Sequence, residues 1–324
     1  MTDFAFIFPG QGSQAVGMGK ALADAFPAAR AVFDEIDETL GDRLSRLMWE
    51  GPAEVLTMTA NTQPALMAVS VAAMRALEAE FGIAVTAAKF VAGHSLGEYS
   101  ALAASGAISL ADTARLLRQR GEAMQDAVPA GMGGMAALLG ATPEQAEAAC
   151  AAAACSAAGG LCEIANDNAP GQLVLSGEKA AVEAACIYAR ENGVKKAVPL
   201  PVSAPFHCSL MLPAADVMRE ALAEVEINAP SVPLIANVTA EICTDPDAIR
   251  AGLVKQVTGQ VRWRETIEYM AGQGISLLAE AGAGKVLTVM NRRTARDIKG
   301  MTLGTPEDLE AFAAHFNSDG DDDV

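Results

Sequence analysis

The chain has 324 residues, of which 51% are hydrophobic and 19% charged, a balance that excludes wholesale disorder. The formal net charge of −17 excludes the basic footprint that nucleic-acid binding requires, so no nucleic-acid partner is expected. No apolar run has membrane-spanning length, and the first residues lack a basic signal region. Together these features predict a cytoplasmic protein without a membrane partner.

The first part of the chain predicts strands that alternate with helices. The apolar run Phe4 to Phe8 is typical of a strand buried on both faces of a parallel sheet. Apolar residues keep helical spacing from Met18 to Leu40, with Pro27 as a kink or break. Helical patterns at 64–80 and 110–128 bracket a second apolar strand. This alternation predicts an α/β core.

From about residue 130 the pattern changes to the order β-α-β-β-α-β, the split, ferredoxin-like arrangement. The expected elements are strands at 135–139, 161–165, 172–175 and 194–198, a turn at 166–171, and helices that begin at Thr142 and Ser176. We therefore predict a small ferredoxin-like domain at 130–200, inserted into a main domain formed by 1–129 and 201–316. The acidic residues 317–324 are predicted to form a disordered tail.

The main domain is expected to resume with alternating strands and helices. The predicted strands are 233–236, 275–279 and 300–303, and the predicted helices are 209–225, 245–257, 262–273, 284–296 and 306–315. The six cysteines show no C-x-x-C pair, and there are only three histidines. We therefore expect reduced thiols and no metal site.

The segment from Lys89 to Ser100 carries the strongest functional signal. An apolar strand, a Gly-His-Ser-Leu-Gly turn and a helix form the context of a nucleophile elbow, which predicts a parallel-sheet, α/β-hydrolase-like main domain. The backbone must reverse at Ser95, where Gly93 and Gly97 lack the β-carbons that would collide. Amides at the start of the helix would face an oxyanion. The alternative is an ordinary turn with a helix-capping serine.

A nucleophilic serine needs a base, and histidine is the usual one. His94 adjoins the serine, where side chains at a tight turn point apart, and His315 lies on a terminal amphipathic helix. His207 lies in a proline-stiffened loop at the expected domain junction, so we predict that it is the base and not merely a helix-capping histidine. No orienting carboxylate is evident, because the helix dipole explains Glu98, and a backbone carbonyl is the alternative.

Arg120 shares the apolar face of its predicted helix with Leu116, Leu117 and Met124. An arginine on such a face needs an anion, and guanidinium can hold a carboxylate through two hydrogen bonds. The alternative is a buried ion pair with a structural Asp or Glu.

Seven motifs occur in order at 8–14, 62–66, 93–98, 118–121, 166–172, 205–207 and 280–287. Together they resemble the malonyl-CoA:acyl carrier protein transacylases of type II fatty-acid synthesis, and the acyltransferase domains of polyketide and fatty-acid synthases look similar. The resemblance covers about residues 4 to 304. It implies transfer of malonyl from malonyl-CoA to the phosphopantetheine thiol of an acyl carrier protein through a malonyl-serine intermediate, without a cofactor. It also implies a monomer.

The resemblance implies roles for particular residues. Ser95 would carry the acyl group, and His207 would act as base and then as acid. The main-chain amides of Gln11 and Leu96 would form the oxyanion hole, and Arg120 would hold the malonyl carboxylate.

Three further positions match the family pattern. The main-chain carbonyl of Gln256 would orient the histidine, although residues 257–263 depart from the usual sequence. Gln63 would support the pocket from behind. Phe206, just before the histidine, would fill the space of an α-methyl group and so favour malonyl over methylmalonyl.

An acidic carrier protein and an acidic enzyme would repel each other unless a local basic patch attracts the partner. We predict a docking patch of five basic residues, Lys195, Lys196, Lys285, Arg292 and Arg293. The alternative is an ordinary solvated face.

The competing functions are a serine hydrolase or thioesterase, in which water resolves the acyl-enzyme, and a non-catalytic binding module.

Overall fold

Two β-sheets with helices packed against them organise the computed structural model, which describes residues 3–156, 159–202 and 204–321. The elements before the second sheet are β1 (Phe4–Phe8), α1 (Lys20–Ala25), α2 (Pro27–Leu40), α3 (Leu44–Glu50), α4 (Ala53–Leu56), α5 (Thr59–Phe81), β2 (Phe90–Gly93), α6 (Leu96–Ala104) and α7 (Leu110–Asp126). The second sheet and its helices are β3 (Gly133–Leu139), α8 (Pro143–Ala154), β4 (Cys162–Ala169), β5 (Gln172–Glu178), α9 (Lys179–Glu191) and β6 (Lys196–Pro199). The chain continues with α10 (Leu212–Ala223), β7 (Leu234–Ile235), β8 (Ile242–Cys243), α11 (Pro246–Thr258), α12 (Trp263–Gly272), β9 (Leu277–Ala281), α13 (Val286–Asn291), β10 (Lys299–Leu303) and α14 (Pro306–Asp321).

The larger sheet has the strand order β10-β9-β1-β2-β7-β8 and is parallel except for β8, which pairs antiparallel with β7. Every residue of β1, β2 and β9 is buried. Continuous burial is expected because helices cover both faces of a parallel sheet. The predicted α/β-hydrolase-like sheet is confirmed, whereas the antiparallel edge strand β8 was not predicted.

The smaller sheet has the order β4-β5-β3-β6 and is antiparallel throughout. Helices α8 and α9 pack mainly through alanines and Val182 against the buried leucines of β3 and β5. The sequence order β3-α8-β4-β5-α9-β6 confirms the predicted ferredoxin-like fold of the insert. The domain boundaries at 130 and 200 stay a prediction.

Two boundaries in the insert differ from prediction because strand pairing outweighs local turn and cap signals. Strand β4 runs through most of the predicted turn at 166–171 and ends at Ala169, since these residues pair with β5. Ser176 does not cap a helix. It lies opposite Met135 in the ladder with β3, and α9 begins only at Lys179.

Other boundaries also differ. The predicted helix from Met18 to Leu40 is divided at Phe26, where Pro27 begins α2, and helices α3 and α4 were not predicted. Helix α13 is much shorter than the expected 284–296. Helix α14 ends at Asp321 and so extends into the predicted acidic tail, while 322–324 lie outside the described residues, and the tail stays a prediction.

Strand β4 bonds to the segment between α11 and α12 and to α12 itself. The amide of Asp167 donates to the carbonyl of Val261 at 2.9 Å, and the amide of Val261 donates to Ala165 at 2.9 Å. The side chain of Asp167 also forms an ion pair of 2.8 Å with Arg264 on α12. These contacts place the polar end of β4 over the carboxyl ends of the main strands, where α/β proteins commonly bind ligands.

Within the described ranges, no helix has both the length and the apolar content of a membrane span.

Candidate active site

The backbone reverses at Ser95, between β2 and α6. Ser95 has φ 54° and ψ −111°, a conformation that non-glycine residues rarely adopt. A β-carbon on Gly93 would lie 1.9 Å from the carbonyl carbon of Gly97, and one on Gly97 would lie 2.3 Å from the carbonyl oxygen of Phe8. Only glycine fits at either position, as the sequence predicts for a nucleophile elbow.

The side chain of Asn237, just beyond β7, holds both sides of this elbow. Its Oδ1 accepts a 2.7 Å hydrogen bond from the amide of Ser95, and its Nδ2 donates a 2.6 Å bond to the carbonyl of Gly93. Sequence reasoning missed Asn237. The usable signal was its place directly after a strand next to β2, where the carboxyl ends of parallel strands meet.

His207 lies beside the serine. Its Nε2 is 2.8 Å from Oγ of Ser95, and its Nδ1 is 2.9 Å from the carbonyl oxygen of Gln256 and 3.2 Å from that of Gly259. Carbonyl oxygens only accept, so Nδ1 carries the hydrogen and Nε2 is left to accept from the serine hydroxyl. Burial and, second, the charge of Arg120 lower the pKa of His207 to about 3. The imidazole is therefore neutral at physiological pH, as a base requires.

The other two histidines are engaged elsewhere. Nε2 of His94 lies 2.8 Å from Oδ1 of Asn168 on β4, and its ring meets Trp263 edge-on at 5.6 Å. Burial lowers the pKa of His94. His315 lies on α14, and its Nε2 is 3.4 Å from Nζ of Lys299 at the start of β10. Neither ring hydrogen-bonds to Ser95, in agreement with the ranking made from sequence.

Arg120 on α7 is 1% exposed, so its predicted direction toward the apolar interior is confirmed. Nη1 donates to Oε1 of Gln63 at 2.7 Å, and Nη2 donates to Oε1 of Gln256 at 2.9 Å and to Oγ of Ser95 at 3.2 Å. Among the residues that the structure describes, no carboxylate lies within ion-pair distance of its guanidinium. The predicted alternative, a structural ion pair, is thus not present there.

A buried carboxyl lies beneath this arrangement. Glu98 is 2% exposed, and its Oε2 accepts hydrogen bonds from Nε2 of Gln256 at 2.8 Å and from the amide of Asn237 at 3.2 Å. Burial raises the pKa of Glu98 to about 7, although both hydrogen bonds and the charge of Arg120 oppose this shift. The helix dipole, which we used to explain Glu98 from sequence, does not account for these long-range partners.

A cleft of about 440 Å³ opens above Ser95, between the main sheet and the small one. The predicted substrate residues Gln11, Gln63, Leu96 and Phe206 line it with Ser95, His207 and Arg120. The loop that carries Gln11 lies against the elbow, because a β-carbon on Gly10 would be 2.7 Å from the carbonyl oxygen of His94. The structure thus gathers the predicted residues at one place.

The basic residues predicted to dock a partner are all exposed and lie outside the cleft. Lys285 and Arg292 border a shallow groove beside α13, whose Val286 and Leu287 line the cleft. Nη1 of Arg293 approaches Oε1 of Gln172 on β5 at 3.4 Å.

On the small sheet, Gly171 precedes Gln172, and its carbonyl accepts a 2.7 Å hydrogen bond from the amide of Gly140, against which the side chain of Lys195 lies. Lys196 follows at the start of β6. Arg293 and Lys195 are therefore connected through Gln172, Gly171 and Gly140.

Within the described residues, no group of three or more His, Cys, Asp or Glu side chains is arranged to hold a metal ion. All six cysteines are free.

Comparisons with known proteins show the family to which the chain belongs. The model of the acyl transferase domain family matches residues 5–314. The malonyl CoA-acyl carrier protein transacylase of Bacillus subtilis is 44% identical over 321 residues, which cover 99% of each chain. The crystal structure of acyl-carrier-protein-S-malonyltransferase from Bartonella henselae is 56% identical, covers 97% of this chain and 99% of that one, and superposes with a TM-score of 0.94.

A third similar chain comes from a solved complex, described as a type II PKS acyl-carrier protein in complex with its malonyl-transacylase. It is 41% identical, covers 97% of this chain and 100% of that one, and has a TM-score of 0.93. The family match spans most of the chain, and the Bacillus relative is covered almost end to end. This chain is therefore a member of the acyl transferase family and, within it, belongs with the malonyl-CoA:acyl carrier protein transacylases.

Proposed function

We propose that this chain transfers a malonyl group from malonyl-CoA to the phosphopantetheine thiol of an acyl carrier protein, in fatty-acid biosynthesis, through a malonyl ester on Ser95. The observation that carries the assignment is the buried guanidinium of Arg120, 3.2 Å from Oγ of Ser95 and without a carboxylate partner among the described residues. In a malonyl thioester only one methylene separates the free carboxylate from the carbonyl carbon. A cation beside the nucleophile suits that short acid.

In the first half-reaction, Oγ of Ser95 attacks the thioester carbonyl while Nε2 of His207 takes its proton. The main-chain carbonyl of Gln256 accepts from Nδ1 and stabilises the imidazolium that forms. The main-chain amides of Gln11 and Leu96 hold the oxyanion at the start of α6. Collapse of the tetrahedral intermediate breaks the carbon–sulfur bond, and His207 gives its proton to the coenzyme A sulfur.

In the second half-reaction, the carrier-protein thiol enters where coenzyme A left. His207 takes the thiol proton, the thiolate attacks the malonyl ester, and the proton passes to Oγ of Ser95 as the ester breaks. The transfer between two thiols changes no oxidation state, so the proposed reaction calls for no redox cofactor.

The cleft walls support a preference for a small carboxylated acyl group. Gln63 holds Nη1 of Arg120, which keeps the guanidinium aimed at the nucleophile. Phe206 is 8% exposed and lines the cleft next to His207, where it fills space that an α-methyl group needs. The difference of one methyl group is worth about 1–3 kcal/mol, so the site prefers malonyl but still accepts methylmalonyl at a lower rate.

The carrier protein is proposed to approach across the exposed basic residues beside the cleft, Lys195, Lys196, Lys285, Arg292 and Arg293. The exposed side chain of Val289 on α13 adds apolar contact area there. Ser95, His207 and Arg120 all come from one chain, so we propose a monomer as the working unit. We also propose a cytoplasmic location, which suits six free cysteines.

The test is incubation with malonyl-CoA or acetyl-CoA, followed by intact mass measurement. We expect a malonyl adduct that is absent from Ser95→Ala and that disappears when holo acyl carrier protein is added. Arg120→Ala should reduce malonyl loading by about a hundredfold relative to acetyl loading, because a charge-assisted double hydrogen bond is lost. Arg118→Ala is the control, since that side chain on the polar face of α7 bonds Asn61 and Asp42.

Two results would contradict the proposal. Preferential labelling by acetyl-CoA would overturn the substrate assignment. Release of free malonate at the same rate with and without carrier protein would indicate a thioesterase instead of a transferase.

A further inference from the structure

We propose that Glu98 is a positioning residue for the Ser95–His207 pair, acting through Gln256 and Asn237. The inference rests on the roles proposed above for the serine and the histidine, and it supplies the acid that the sequence did not reveal. A carboxylate that contacts the histidine directly is absent from the described residues, since both neighbours of Nδ1 are main-chain carbonyls.

The first link runs through Gln256. Its main-chain carbonyl accepts from Nδ1 of His207, while its side-chain Nε2 donates to Oε2 of Glu98 at 2.8 Å and to the carbonyl of Ser95 at 2.9 Å. Its Oε1 accepts from Arg120. Glu98 therefore fixes Gln256, the residue that contacts the base His207, the nucleophile Ser95 and Arg120.

The second link runs through Asn237. The amide of Asn237 donates to the same Oε2 of Glu98 at 3.2 Å, while its side chain bonds the main chain on both sides of the elbow. One carboxylate oxygen thus receives the two residues that hold Ser95 and His207 in place.

A role as a simple helix-dipole acid would not need this geometry. Such an acid gains its energy from the exposed first turn of its own helix, whereas Glu98 is 2% exposed and its side-chain partners come from α11 and the loop after β7. Burying a carboxyl group is costly unless it is hydrogen-bonded, so its two donors are part of the reason that it is tolerated there.

The reach of the carboxyl oxygen is the feature to test. Glu98→Asp keeps the charge but retracts the acceptor by one methylene, whereas Glu98→Gln keeps the length and one acceptor oxygen. Reactivity of Ser95 is measured with phenylmethylsulfonyl fluoride, a probe that does not use Arg120, and with malonyl-CoA in a rapid-quench assay. Glu280→Asp is the matched control, because Glu280 is also a buried, hydrogen-bonded glutamate but bonds the amides of Leu287 and Thr288.

We expect Glu98→Asp to react about thirtyfold more slowly with both reagents, since small displacements of a catalytic pair are costly. Glu98→Gln should stay within about threefold of the wild type. The control should lose thermal stability but keep its sulfonyl fluoride rate. With ¹⁵N-labelled histidine, Glu98→Asp should also shift the His207 ring signals away from the Nδ1–H form, a change that a merely structural role would not produce.

Wild-type rates in Glu98→Asp would overturn the inference, as would a Glu98→Gln rate as low as that of Glu98→Asp. If Glu98→Asp does not fold, Gln256→Met removes the same link while keeping the main-chain carbonyl, and a wild-type sulfonyl fluoride rate would again overturn it. Failure of the proposed function would give another result, because the wild type would react with the sulfonyl fluoride yet form no malonyl adduct. The sulfonyl fluoride rates of the Glu98 variants would still test the inference.

Discussion

Nη2 of Arg120 lies 3.2 Å from Oγ of Ser95, so the expected carboxylate-binding group touches the nucleophile in the free protein. The guanidinium is held there by Gln63 and Gln256, which leaves it preorganised for an anion. A bound carboxylate would draw on this hydrogen-bonding capacity and would neutralise a charge close to His207.

The close approach of Gly97 to β1 makes the elbow intolerant of any side chain. In Gly97→Ala, the new β-carbon would lie 2.3 Å from the carbonyl oxygen of Phe8, so the strand or the turn must move. We expect a loss of roughly 3 kcal/mol in the free energy of unfolding, measured with urea, together with loss of serine reactivity. Gly252→Ala on α11 meets no atom within 4 Å and should be neutral or slightly stabilising. Equal stability of the two variants would contradict the steric argument.

The charge of Arg120 depresses the basicity of His207. Burial is the first cause of the low pKa of about 3, and the Arg120 charge is the second. Arg120→Met should therefore raise the pKa of His207, while burial keeps it below its ordinary value. The measurement is a pH titration of ¹⁵N-labelled histidine ring signals by NMR. His94 serves as an internal control, because burial lowers its pKa against an opposing hydrogen bond to Asn168 and without a contribution from Arg120. An unchanged His207 titration would refute the coupling.

By the same reasoning, a malonyl carboxylate bound to Arg120 should raise the pKa of His207 in the wild type. Malonyl, which carries the carboxylate, would then increase the basicity of His207, whereas acetyl would not. A titration of the malonyl-loaded protein that matches the free protein would argue against this effect.

The buried Glu98 should make folding stability depend on pH in a defined window. Burial raises the pKa of Glu98 from 4.5 to about 7, so between these values the unfolded chain releases a proton that the folded chain keeps. Stability from this group therefore falls as pH rises through the window, by about 3 kcal/mol in total. Glu98→Gln lacks this titration.

We thus expect the stability of Glu98→Gln, relative to the wild type, to increase from pH 4.5 to 7 and to level off above that range. The contribution of His207 is common to both proteins and cancels in the difference. Urea unfolding at a series of pH values measures it, and a difference independent of pH would show that Glu98 does not titrate in this way.

Charge reversal beside α13 should raise KM for the acyl carrier protein and leave malonyl-CoA loading unchanged. In the double variant Arg292→Glu, Arg293→Glu, we expect KM for acyl carrier protein to rise about tenfold, with unchanged malonyl-CoA loading and a smaller effect at high salt. The matched control reverses Arg75 on α5 and Arg219 on α10, which changes the net charge equally. Similar effects of both double variants, or equal effects on both substrates, would show that the patch does not dock the carrier protein.

Much of the site could be predicted from the sequence because its key restrictions are local. The glycines at 93 and 97 are a steric requirement within five residues of chain, and the helical period alone places Arg120 on an apolar face. The order of strands and helices in the insert is likewise carried by hydrophobic patterning. These features need no knowledge of distant partners.

Only the tertiary structure determined the contacts between residues that are far apart in the sequence. The side chains of Asn237 and Gln256 reach the elbow from 142 and 161 residues away, so these contacts depend on the tertiary fold. The same holds for the end of β5, where pairing with β3 extends the strand past Ser176. Glu98 shows the difference most clearly: its sequence position suits a helix dipole, but it is buried, and its two hydrogen-bond donors come from α11 and the loop after β7. Periodicity determines which face a side chain occupies, whereas only the folded chain determines which partners meet it there.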